Sequence, residues 1–333
     1  MRLLVTGGAG FIGSSFVRWW AARHGEPIVV LDALTYAGNP ANLAGIEGDV
    51  TLVEGDIGDT ALVEQQLRDH HIDAVVNFAA ESHNSLGIVD PARFFRTNVL
   101  GTQGLLEACR ASKISRFHHI STCEVYGDLP LDTDDAFDEQ SPYRPLAPYN
   151  ASKAGGDHAV RSYFHAYGLP VTVTNCANNY GPYQFPEKVV PLFTTSAIDD
   201  RPLTMYESSD HRREWIHVDD HCAAIALVLD RGRIGETYHV GTGDERTVEQ
   251  VADTILDLLG KPSSLKQYVP DRPGHERRYV LDWTKLRTEL GWMPEHTWDE
   301  GMRHTVEWYV EREDWWRPLL DRAPVREDAW SGR

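Results

Sequence analysis

Two short stretches of this 333-residue chain set proton-moving groups beside one another. Tyr149-Asn150-Ala151-Ser152-Lys153 follows Pro148. Its four-residue spacing puts a phenol and an ammonium on one face of a helix. A neighbouring ammonium lowers a phenol's pKa, so Tyr149 can take a proton from a substrate hydroxyl while the adjoining carbon gives up a hydride. Taken alone, Tyr-x-x-x-Lys is also what a solvated helix face looks like. The second stretch, Ser121-Thr122-Cys123-Glu124-Val125-Tyr126-Gly127, places a hydroxyl, a thiol and a carboxylate directly after a strand-like run. The end of a parallel strand is where open α/β proteins bind ligands, although a capping Thr is the ordinary alternative.

A hydride needs an acceptor, and the N-terminus has the pattern for one. Residues 2–6 read as a strand, followed by Gly7-Gly8-Ala9-Gly10-Phe11-Ile12-Gly13 and an apolar helical segment. Glycines at such positions allow a tight turn, close approach of the backbone to a pyrophosphate and packing of the helix on the sheet. Asp32 ends the next strand, where a carboxylate accepts hydrogen bonds from ribose hydroxyls and repels a 2′-phosphate, favouring NAD over NADP. Asp56-Ile57 follows the third strand and can bracket the adenine, with a capping Asp as the alternative.

β-Branched runs at 28–32, 50–54, 74–77, 116–121 and 171–175 alternate with helical stretches, among them 149–167. That rhythm predicts an α/β fold, a Rossmann-type doubly wound parallel sheet with a smaller C-terminal α/β substrate-binding region. Residues 1–177 are read as the NAD-binding region with the Tyr/Lys helix, and 178–333 as mainly the substrate-binding region. The stretch 178–215, rich in Pro, Gly and aromatics, reads as irregular loops. Residues 312–333, rich in Trp, Pro and charge, suggest no role, and the chain contains no internal repeat.

A formal charge of −18 opposes binding to nucleic acid, while Arg212-Arg213 and Arg277-Arg278 leave room for a local anion site. Cys109, Cys123, Cys176 and Cys222 are widely spaced and read as free thiols. The fifteen histidines show no metal-ligand spacing, so no metal is expected. With a strand at the N-terminus and no run long enough for a membrane span, the expected location is the cytoplasm, with no membrane partner.

With these residues in place, the chain resembles the extended short-chain dehydrogenase/reductases acting on nucleotide sugars, and among them the dTDP-glucose 4,6-dehydratases. The resemblance runs over nearly the whole chain. Besides the stretches above it rests on Ala79-Ala80-Glu81-Ser82-His83, on Asn178 to Lys188 and on Asp271 to Tyr279. It implies cofactor contacts from Gly7, Gly10, Phe11, Ile12, Gly13, Asp32, Asp56, Ile57, Ala79, Ala80, Thr97, Tyr149 and Lys153. It further implies a dTDP-sugar held by Ser82, Asn178, Lys188, Arg213, Arg272 and His275. Relatives commonly dimerise through two helices, here near 93–111 and 149–167, so a homodimer is expected.

Two departures from the family pattern stand out. Where those dehydratases carry Asp-Glu after Ser-Thr, this chain has Cys123-Glu124, and after His83 their Val-Asp-Arg-Ser is replaced by Asn84-Ser85-Leu86-Gly87. In the dehydratase chemistry that Asp protonates the departing C6 hydroxyl, and a thiol is a weaker acid. The related nucleotide-glucuronate decarboxylases have a neutral Ser at this position. Thr122, Cys123, Glu124, Tyr149 and Lys153 are accordingly read as the catalytic set of a decarboxylase. It would take dTDP-glucuronic acid through a 4-ketone to dTDP-xylose, the 4-keto-pentose, or both. The alternative is a dTDP-glucose 4,6-dehydratase, and a third reading is an inactive protein that binds NAD and nucleotide sugar.

Overall fold

The computed structural model describes residues 1–271 and 274–323. Thirteen strands are formed: β1 Leu3–Thr6, β2 Ile28–Asp32, β3 Val50–Glu54, β4 Ala74–Asn77, β5 Arg116–Thr122, β6 Val171–Cys176, β7 Asn178–Tyr180, β8 Leu203–Tyr206, β9 Arg212–His217, β10 Thr237–Val240, β11 Glu245–Thr247, β12 Lys266–Val269 and β13 Arg278–Tyr279. Seven of them make one sheet in the order β10-β6-β5-β4-β1-β2-β3, with every pairing parallel. The six strands expected from sequence are all in it, their ends within one residue.

The near-continuous apolar character of these strands follows from burial on both faces. Along β1 the side chains alternate. Leu3 and Val5 pack with Phe16, Val17 and Trp20 of the Phe11–Ala21 helix and with Ile225 and Leu229 of the Val218–Arg231 helix. Leu4 packs on the opposite face with Leu105 and Leu106 of the Thr102–Ser112 helix and Val160 of the Pro148–Tyr167 helix. Tyr149 opens that last helix, with Pro148 at its first turn, where a missing N–H costs nothing.

The chain beyond β6 is more regular than its sequence suggests. β9 pairs with β7 and β13 in parallel and with β11 antiparallel, and β8 pairs with β12. Within 178–215 a full helix, Val189–Ile198, is buried with the Val248–Leu259 and Trp298–Glu311 helices through Val190, Phe193, Ile255 and Met302. Its sequence, VVPLFTTSAI, is apolar all round and so lacks the stripe by which an amphipathic helix is recognised. β10 and the Val218–Arg231 helix return to the large sheet, so the two regions are interleaved. Residues 313–322 form short helical turns in which Trp316 is fully buried, and Trp315 Nε1 donates to Asn42 Oδ1 at 2.9 Å. The C-terminal tryptophans therefore close the fold onto the segment after β2. Among the described residues no helix is long and apolar enough to cross a membrane, and all four cysteines are buried free thiols.

Glu214 of β9 ties three segments together. Its carboxylate accepts from the backbone N–H groups of Thr242 and Gly243 at 2.7 Å and of Leu281 at 3.0 Å. Burial pushes its pKa up to about 7, against the lowering by these amides. Glu214→Leu keeps the volume and strands the amides. Stability is expected to fall by about 3–5 kcal/mol, since each buried donor left unpaired costs roughly 1–3 kcal/mol. Urea unfolding measures it, and an unchanged midpoint would mean the three donors find other acceptors.

Candidate active site

A large cleft opens at the carboxyl ends of β1 to β6, where the polar residues that end each strand meet. Its first part is lined by Gly7, Gly10, Phe11, Ile12, Gly13, Asp32, Asp56, Ile57, Ala79, Ala80 and Thr97. The glycines are sterically required. Gly7 has φ +67°, and a Cβ on Gly13 would lie 2.3 Å from the Gly7 carbonyl oxygen. Asp32 is aimed by two backbone amides, Ala9 N to Oδ2 at 2.9 Å and Leu34 N to Oδ1 at 2.8 Å. Each oxygen keeps a lone pair for a ribose hydroxyl. Asp56 Oδ1 accepts from Gly58 N at 2.7 Å, a local turn, while the residue also lines the cleft. The donor set and the space above the glycine turn fit NAD, whose ribose and pyrophosphate need such partners.

At the centre of the cleft, Thr122 ends β5 and the chain enters a single 3₁₀ turn, Cys123–Tyr126. Thr122 Oγ1 accepts from Glu124 N at 3.3 Å, and Asn175 Nδ2 holds the Thr122 carbonyl at 3.0 Å. Tyr149 is buried against Phe94. Burial pushes its phenol well above the ordinary value, the Glu124 carboxylate pushes the same way, and a hydrogen bond with the Thr122 hydroxyl pulls it down. Lys153 lines the cleft one helical turn after Tyr149. Its Nζ donates to the Ile120 carbonyl at 2.7 Å, and burial lowers its pKa against the raising effect of Asp157.

Cys123, read from sequence as one of the catalytic set, does not line the cleft. Thr122, Glu124, Tyr149 and Lys153 line the cleft, whereas Cys123 is 1% exposed and packs into an apolar cluster with Val125, Tyr126, Ala154, Tyr279 and Leu281. Burial, then the Glu124 charge, pushes its thiol well above the ordinary value. The lining thiol is that of Cys176, at the end of β6, where nothing but its strand position marked it. Two residues matter here to which the sequence reading gave no role. Asn84 Nδ2 donates to Glu124 Oε2 at 3.0 Å. Asp157, fully buried and four residues after Lys153, accepts from the hydroxyls of Ser121 and Tyr143 at 2.8 Å each.

The far part of the cleft contains Ser82, Asn178, Lys188, Arg213 and His275. Arg272 falls outside the described residues. Lys188 Nζ donates to the Ser82 carbonyl at 2.7 Å, and Asn178 Oδ1 accepts from the Tyr279 hydroxyl at 3.1 Å. Arg213 lies over the Tyr279 ring and gives guanidinium hydrogens to the carbonyls of Arg212, Glu276 and Arg277, so its charge is fixed at the wall. His275 Nδ1 lies 3.3 Å from Ser208 Oγ and 3.7 Å from Asp271 Oδ1. Outside the cleft, ligand atoms of His217, Asp219 and His296 come within 4.8 Å of one another. The two imidazoles are stacked at 4.1 Å and 25°, so their in-plane lone pairs run side by side rather than converging on an ion.

Comparison with known proteins agrees with this geometry. The family described as GDP-mannose 4,6 dehydratase matches residues 4–305. The dTDP-glucose 4,6-dehydratase of Streptomyces niveus is 50% identical, with 96% of each chain covered. That of Mycobacterium tuberculosis (strain H37Rv) is 48% identical, with 98% of each covered. Among solved structures, the dTDP-glucose 4,6-dehydratase DesIV of Streptomyces venezuelae, with NAD bound, superposes with a TM-score of 0.93 at 48% identity, covering 96% of this chain and 100% of that one. The chain belongs to the extended short-chain dehydrogenase/reductases that act on nucleotide sugars, the family of the dTDP-glucose 4,6-dehydratases. The expected glucuronic-acid decarboxylation is overturned. The curated relatives named above, matched over nearly their full length, are dTDP-glucose 4,6-dehydratases, and the thiol on which the expectation rested is buried and does not line the cleft.

Proposed function

We propose that the protein is an NAD-dependent hydro-lyase that converts dTDP-glucose to its 4-keto-6-deoxy product. The observation that carries this reading is the Glu124 carboxylate beside the Tyr149 phenol in one cleft. Asp32 and the glycine turn would hold NAD, which when bound would supply the hydride acceptor for C4 and the hydride donor for C6. Thr122 and Tyr149 hold the C4 oxygen, and Tyr149 takes its proton as the ketone forms. The ketone acidifies the hydrogen at C5, which Glu124 removes, water departs from C6, and C5 regains a proton, ultimately from solvent, as C6 takes the hydride. Ala79, Ala80, Thr97 and the residues after β1 and β3 orient the cofactor, while Ser82, Asn178, Lys188, Arg213 and His275 orient the dTDP-sugar.

In this reading residues 1–177 serve the cofactor and 178–333 mainly the nucleotide sugar. Apolar side chains exposed near the two helices expected to pair, Phe95 at 42%, Leu100 at 64% and Tyr167 at 60%, support a homodimer, which sedimentation velocity tests. Incubating the protein separately with dTDP-glucose and dTDP-glucuronic acid tests the reaction. Loss of one water from the glucose alone is expected, and carbon dioxide released from the acid would sink the reading.

A further inference from the structure

With the usual Asp replaced by Cys123, a thiol buried in an apolar cluster and not lining the cleft, the elimination lacks an evident acid for the departing C6 oxygen. We infer that Glu124 performs both proton transfers of the elimination and that Asn84 is the positioning residue that holds its carboxylate in place. This rests on the dehydratase reading above.

The other carboxylates on the cleft wall are engaged elsewhere. Glu81 pairs with Arg93 at 2.7 Å, Glu187 accepts from the Tyr36 hydroxyl at 2.8 Å, Asp56 accepts from Gly58 N at 2.7 Å after β3, and Asp32 belongs to the glycine turn. The titratable groups acting with Glu124, namely Tyr149, Cys123, Cys176 and Tyr279, are all held protonated by burial and are weak acids. A carboxylic acid is by its chemistry a stronger acid than a phenol or a thiol.

Asn84, at the start of the Asn84–Val89 helix, lines the cleft and donates to one oxygen, Glu124 Oε2, at 3.0 Å. A carboxylate partner fixes the amide orientation, since only the nitrogen can donate. Asn84 Oδ1 is then left buried without a partner among the described residues. An unsatisfied buried carbonyl weakens a fold, so the side chain is better explained by what its nitrogen holds than by stability. With Oε2 engaged, Oε1 takes the C5 proton. The C5–H electrons form the C5–C6 double bond, the C6–O bond breaks, and the same proton leaves with the C6 oxygen as water. Glu124 is returned as a carboxylate. The proton and the leaving oxygen must depart from one face of the sugar, because a single carboxyl serves both.

Asn84→Leu keeps the shape and removes the donor. Its kcat for dTDP-glucose is expected to fall about 10- to 100-fold, the scale of a misplaced catalytic group, with KM within about threefold. Oxidation at C4 does not use Asn84, so reduced nicotinamide should accumulate during turnover and be visible in the near ultraviolet. The melting temperature should stay level or rise, and Asn84→Gln should recover part of the rate. Cys123→Ala should keep its rate within about threefold of the parent, where loss of a true acid would cost at least about 10². The inference is overturned if Asn84→Leu turns over like the parent, if its rate falls only in step with its melting temperature, or if Cys123→Ala loses its rate. A parent protein that releases no water from dTDP-glucose overturns the dehydratase reading as well, whereas a dehydrating parent with an unaffected Asn84→Leu variant overturns this inference alone.

Discussion

Tyr149→Phe is expected to lower kcat for dTDP-glucose about 10²- to 10⁴-fold, the range typical of a positioned general base, with little change in KM. The substitution removes one hydroxyl and leaves the ring against Phe94, so the melting temperature should not move. Burial raises the phenol pKa, and the Glu124 charge raises it further, so in the protein by itself the group is protonated at neutral pH. The counter-effect within the chain is the Thr122 hydroxyl, whose hydrogen bond favours the ionised phenol. Removing the Glu124 charge relieves one of the two obstacles. Glu124→Gln should therefore still oxidise C4, and reduced cofactor should accumulate, while elimination stops. Steady-state rates and near-ultraviolet absorbance measure both variants. Turnover by Tyr149→Phe within about tenfold of the parent would place the base elsewhere.

The glycine turn, the Tyr149 helix and the positions of the central strands along the chain were legible because each depends on local rules: glycine where a Cβ would strike backbone, and β-branched runs where both faces are covered. The burial of Cys123 was not legible, because a residue's neighbours in sequence do not say which way it faces once a strand gives way to a turn. Thr122 and Glu124 reach the cleft while the residue between them enters the core, an alternation that the strand's own period hints at. The buried helix Val189–Ile198 carried no periodic signal at all. Asn84 was noticed as a departure from the family pattern, but its partner lies forty residues on, and only the fold brings Glu124 to it. For Asp157 there was a usable signal. It continues the four-residue spacing of Tyr149 and Lys153, so three polar residues on one face of a buried helix called for a counter-charge.

That counter-charge leads to the second large effect. Asp157 Oδ2 accepts from Ser121 and Tyr143, and Oδ1 lies 3.4 Å from His119 Nε2, a contact too poorly aligned for a full hydrogen bond. Burial by itself would raise the Asp157 pKa, but contact with His119 and the charges of Lys153 and Arg161 outweigh it, and the net shift is downward. Asp157→Asn keeps the shape and leaves Lys153 buried with its charge uncompensated. The expected cost is about 3–5 kcal/mol, that of breaking a buried pair from one side. The sign with pH follows from the depressed value. Asp157 contributes stability that is present above its unfolded pKa and lost as pH falls through the folded one. The parent should thus lose stability on acidification through this carboxyl, and the variant, which has nothing there to protonate, should show a shallower loss. Without Asp157 to oppose burial, the Lys153 ammonium also gives up its proton more readily, moving the alkaline limb of kcat to lower pH. Urea unfolding at neutral and acid pH, together with the kcat profile, reads both effects. A variant as stable as the parent at neutral pH, with an unmoved alkaline limb, would show that Lys153 does not depend on this carboxylate.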